Sequence, residues 1–131
     1  MPAGDVSPLS AAQRADLERV VQRARSICGF GFAAYVGPLP DGHQSAVAAH
    51  GTLPDPASAV LVAVDPAARA IEIVIGSNTT RVLDNRACEF AALTMKSCFA
   101  ANDLVGGVRE GVTMLAQHAR HPRVLNLDDP A

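Results

Sequence analysis

Val60-Leu61-Val62-Ala63-Val64 is an unbroken apolar run, and Asp65-Pro66-Ala67-Ala68-Arg69 turns the chain back into Ala70-Ile71-Glu72-Ile73-Val74-Ile75-Gly76. Short β-branched runs bounded by turn residues read as strands, and a connection this brief makes the two strands an antiparallel hairpin. Every other segment is placed around that pair. Upstream, Gly31-Phe32-Ala33-Ala34-Tyr35-Val36 has the composition of a further strand, broken by Gly37-Pro38-Leu39-Pro40. Asp41 is positioned to cap a short helix through Ala49, and Leu53-Pro54-Asp55-Pro56 is the loop that leads into Ala59. Strand, helix and strand in that order predict that Gly31–Val36 and Ala59–Val64 lie parallel.

Helices flank this core on both sides in sequence. Leu9-Ser10-Ala11-Ala12-Gln13 has the form of a capping box, in which Ser10 and Gln13 satisfy each other's backbone N–H groups. The helix it opens runs from Ala11 to about Ser26, with Leu17, Val20, Val21, Ala24 and Cys28 on one side and Arg14, Glu18, Arg19 and Arg23 on the other. Gly29 ends it. Toward the C-terminus, Asp84 is an N-cap for a helix whose apolar stripe is Cys88, Ala91, Ala92, Met95, Cys98 and Phe99. Asn102 accepts the left-handed conformation that stops this helix, and Asp103 caps the last one, with Leu104, Val108, Val112 and Leu115 facing inward. Gly107 and Gly111, one turn apart, predict close backbone approach to a neighbour.

These pieces resemble the TPM domain: Leu9-Ser10 at the start of the first helix, the hairpin from Val60 to Gly76, Leu83-Asp84, and Phe99-Ala100-Ala101-Asn102-Asp103-Leu104 followed by Gly107 and Gly111. That α/β/α fold is shared by a thylakoid-lumen phosphatase, photosystem II repair factors and a membrane modulator of acetylcholine receptors. The chain is most similar to a small uncharacterised bacterial branch of the group. The resemblance implies a three-layer α/β/α sandwich with a small mixed β-sheet. We expect one domain over residues 1–131, with its core at about 9–120 and short flexible tails. Asn102 stands where the family pattern has glycine. Many TPM proteins also carry a signal segment and a C-terminal membrane helix, and neither reads in these residues, so family roles at a membrane transfer poorly.

Composition narrows the function classes. The 131 residues carry a formal charge of -2, Lys96 is the single lysine, and no basic cluster appears, which argues against nucleic acid as a partner. No apolar run approaches the roughly 18 residues of a membrane span, and the expected location is cytoplasmic, with no membrane insertion. Cys28, Cys88 and Cys98 follow no metal or redox spacing and are expected as buried, reduced thiols. Ser45, Ser58 and Ser77 lack the setting of a hydrolase nucleophile, and Gly29-x-Gly31 precedes a strand, which removes a dinucleotide-binding reading.

The topology gathers polar groups at two ends. The carboxyl ends of the parallel strands, the favoured place for sites in open α/β sheets, collect Asp41 and His43, Asp65, and Asn102 with Asp103. Converging Asp41, Asp65 and Asp103 would offer oxygen ligands for weak Ca²⁺ or Mg²⁺ binding, although capping and turn roles already account for each of them. The opposite end collects His50, Arg81, Asp84, Arg86, His118 and His121. A His–Asp pair there would serve acid–base work and His118-x-x-His121 would offer two zinc ligands, while helix-dipole complementation explains the same histidines. Glu72 sits inside a strand, as a buried carboxylate or, as we expect, a solvated group on an edge.

The expected function is a non-catalytic binding or regulatory module that presents a surface to an unidentified protein partner or to itself, without a cofactor. Similarity to the thylakoid member implies the alternative, a divalent-metal-assisted acid phosphatase. A small-ligand carrier has no residue to recommend it in the sequence. Converging carboxylates at an open cleft would favour the enzyme, and an exposed apolar surface the binding module.

Overall fold

A computed structural model describes residues 9–128, with side chains through residue 120; the N-terminal tail expected from the sequence lies outside the described residues. The elements follow the order α1 (Ala11–Cys28), β1 (Gly31–Val36), α2 (His43–Gly51), β2 (Ala59–Asp65), β3 (Ala70–Ile75), α3 (Asn85–Ala100) and α4 (Leu104–Asp128).

β2 is the central strand. It pairs in parallel with β1, from Gly31 opposite Ala59 to Val36 opposite Val64, and antiparallel with β3, from Val60 opposite Ile75 to Asp65 opposite Ala70. All of its residues are buried, because helices cover both faces of the sheet. Alternation sends Val60, Val62 and Val64 to one face, where they pack with Phe32, with Leu17, Val21 and Ala24 of α1, and with Met95, Val108, Val112 and Leu115 of α3 and α4. Leu61 and Ala63 face the other way, against Ala46 and Ala49 of α2, with Leu39 and Leu53. The result is the three-layer α/β/α arrangement with a mixed sheet. Fully burying each such valine or leucine contributes about 1.5–3 kcal/mol.

Local chemistry explains most element ends. Ser10 and Gln13 form the reciprocal capping box, and Gly29 closes α1 at φ 86°. Asp84 Oδ1 accepts from the Ala87 N–H at 2.9 Å to open α3. α2 departs from expectation: it starts at His43 with Gly42 as N-cap, and the Asp41 side chain makes no cap. The Asp41 backbone N–H instead donates to Ser45 Oγ at 2.8 Å.

α3 and α4 approach closely where the two glycines lie. A Cβ on Gly107 would fall 2.5 Å from Phe99 Cε1, and one on Gly111 2.7 Å from Met95 Sδ. The sulfurs of Cys28, Cys88 and Cys98 are all thiols, the first buried and the others half-buried. Among the described residues no helix is long and apolar enough to cross a membrane.

Candidate functional site

Asp65 is the structural knot at the carboxyl end of the sheet. As the last residue of β2 it points its side chain to the α2 face, where Oδ2 accepts from the Leu39 N–H at 2.9 Å and Oδ1 from the Ala68 N–H at 3.2 Å. One buried carboxylate therefore ties the β1–α2 loop to the hairpin turn. The Leu39 N–H foremost, then that of Ala68, holds its pKa below the ordinary carboxylate value, against the opposing effect of burial.

The other two expected ligands have separate local roles. Asp103 Oδ1 accepts from the Gly106 N–H at 3.0 Å and caps α4, while Asp41 sits exposed in the loop before α2. Among the described residues no three His, Cys, Asp or Glu side chains are grouped as a metal ion requires. Asp41, Asp65 and Asp103 are thus not brought together as a ligand set.

What this end does hold is a recess of about 580 Å³ between the hairpin turn and the α3–α4 corner. Val64, Ile71, Phe99 and Leu104 make an apolar wall, and Arg69 and Lys96 supply two exposed cations. Among the described residues neither cation takes part in an ion pair. Arg69 holds φ at 55°, the left-handed region, where a residue with a Cβ costs about 1–2 kcal/mol. Asn102, also lining the recess, takes φ 65° as expected from the sequence. Sequence reasoning missed Arg69 as a candidate because it read the stretch only as a turn. Lys96 carried one signal, its being the single lysine.

His43 and Glu72 meet across the sheet. His43 Nδ1 lies 2.9 Å from Glu72 Oε1, linking the start of α2 to the middle of β3. β3 is an edge strand, so the expectation of a partly solvated glutamate there holds, with a hydrogen-bond partner in His43 that sequence did not supply.

At the opposite end His50 and Asp84 have structural roles. His50 is buried and its Nε2 donates to the Ala59 carbonyl at 2.9 Å, fastening α2 to the start of β2. The Asp84 pKa is lowered chiefly by the capping N–H of Ala87, with the nearby charges of His118 and Arg86 acting in the same direction. Asp84 is accounted for as a helix cap, and the His121 side chain lies outside the described residues.

Residues 3–116 match the family described as Domain of unknown function (DUF5130). Two proteins of Mycobacterium tuberculosis, the uncharacterized protein MT2543 of strain CDC 1551 / Oshkosh and the uncharacterized protein Rv2468c of strain H37Rv, are each 30% identical over 112 residues. The alignment takes in 83% of this chain and 66% of each relative, so the chain spans just under two thirds of their length. The family match covers most of the chain, and the chain belongs to the DUF5130 family.

Proposed function

We propose that the domain is a non-catalytic binding module, and that its partner is a second copy of the chain joined through the free edge of β3. The edge carries the reading. The Gly76 N–H donates to the Ala59 carbonyl at 2.9 Å, so hydrogen-bonded pairing alternates along β3 and leaves the N–H and C=O groups of Ile71, Ile73 and Ile75 pointing away from β2. Such an edge is a template for another strand unless charge or proline blocks it. The one charge on β3 is Glu72, and His43 draws it toward α2.

The edge is also self-complementary under a two-fold axis through Ile73. Antiparallel pairing about that axis sets Ile71 beside Ile75 of the second copy and Ile73 beside its twin, so half-buried isoleucines gain cover. Glu72 then lies opposite Val74, and like charges do not meet. α3, which packs on β3, carries Phe90 and Leu93, which are 60% and 62% exposed, the most exposed large apolar side chains described.

Sedimentation velocity from micromolar to submillimolar concentration tests the proposal. Reversible dimers are expected, shifted to monomer by the paired Phe90→Ser and Leu93→Ser changes and by Ile73→Pro, whose lost N–H serves no β2 bond. A wild-type chain that stays monomeric throughout would contradict it.

The phosphatase alternative lacks a comparable observation, since Asp65 acts as a tie and Asp103 as a cap, while Asp41 is exposed in the loop before α2. With a chromogenic phosphomonoester and Mg²⁺, Mn²⁺ or Ca²⁺, no turnover above blank is expected. Metal-dependent turnover lost in both Asp65→Asn and Asp103→Asn would restore the enzyme reading.

A further inference from the structure

We propose that the recess at the carboxyl end of the sheet binds a small anionic amphiphile, a carboxylate or phosphate head carrying an unbranched apolar chain. The volume, about 580 Å³, is that of an ordinary small-molecule site. Its lining divides by chemistry. Val64, Ile71, Phe99 and Leu104 offer an apolar wall for a chain, and Arg69 and Lys96 bring two positive charges to the same opening from different elements. The nearest acid in the lining, Asp65, does not neutralise them: alternation along β2 sends its carboxylate to the opposite face, where Leu39 and Ala68 hold it. An incoming anion therefore meets two cations with no ion-pair partner among the described residues. Arg69 presents a planar fork suited to two oxygens at once, and Lys96 adds a point charge.

The backbone supplies a second, independent observation. The last position of the hairpin turn has φ 55°, where glycine fits without strain, yet it is occupied by arginine. Strained positions cluster at ligand sites, and the side chain at this one lines the recess.

The test titrates isotopically labelled protein with decanoate and with decyl phosphate, each below its micellar concentration, and with decanol as the uncharged control. It is run on the wild type and, to keep it apart from self-association, on the Phe90→Ser/Leu93→Ser form. Saturable binding of at least one anion is expected, with amide shifts centred on Val64, Ile71, Phe99 and Leu104 and with affinity falling as salt rises. Arg69→Gly is expected to weaken binding at least tenfold while raising the unfolding midpoint, a pairing of effects that a purely structural arginine would not give. Lys96→Gln, at an exposed helix position, is expected to weaken binding with the midpoint unchanged. Decanol binding as tightly as decanoate, unaltered affinity in both variants, or shifts centred elsewhere would overturn the proposal.

Discussion

Asp65 shows how one carboxylate fixes the end of the sheet, and its pH dependence follows from the direction of its shift. Because its folded pKa lies below 3.8, the ionised form is favoured by folding, chiefly through the Leu39 N–H and then that of Ala68. The stabilisation is complete above the unfolded value and is lost as pH falls through the folded one. Asp65→Asn is therefore expected to lower stability at neutral pH, and the gap from wild type should close below about pH 4. Denaturant unfolding across that range measures it; a gap that persists in acid would contradict the tie. Cys88 gives a second check. Burial, with Asp84 and Glu89 adding, pushes its thiol pKa up, so native alkylation should be slow and unfolding should expose all three cysteines. At this scale the sequence showed which residues are polar at each end. It did not show that Asp65 would reach back to Leu39, because that contact depends on a fold that brings residues 26 apart together.

The α3–α4 contact is the element most sensitive to a single added carbon. Alanine in place of a helical glycine ordinarily adds about 0.5–1 kcal/mol of stability. At Gly107 the added carbon meets the Phe99 ring and Cys98 Cβ, and overpacking of about 1–3 kcal/mol outweighs that gain. Gly107→Ala should therefore destabilise, whereas Gly51→Ala, with open space around it at the end of α2, should not. Thermal unfolding of the two variants decides the point, and equal effects would refute the close-packing account. The strands, the caps at Ser10 and Asp84 and the one-turn glycine pair were legible because each is a local rule written in adjacent residues. The start of α2 was not, because Asp41 has the chemistry of a cap while its backbone is held by Ser45 and the chain turns at Gly42 with φ 58°.

For the whole molecule, the order of elements was readable and the meeting of distant side chains was not. His43 and Glu72 lie 29 residues apart, and the recess joins a hairpin turn to a helix corner that no sequence pattern connects. The same limit hid the edge on which β3 leaves its backbone groups unpaired. Residue-resolved amide exchange at low and high protein concentration tests that edge most directly. The N–H of Glu72 points to β2 and should be protected at both concentrations. Those of Ile71, Ile73 and Ile75 should exchange quickly in dilute solution and slow together as the chain associates. Fast exchange at all three isoleucines, unchanged by concentration, would contradict a module that joins a second copy through this edge.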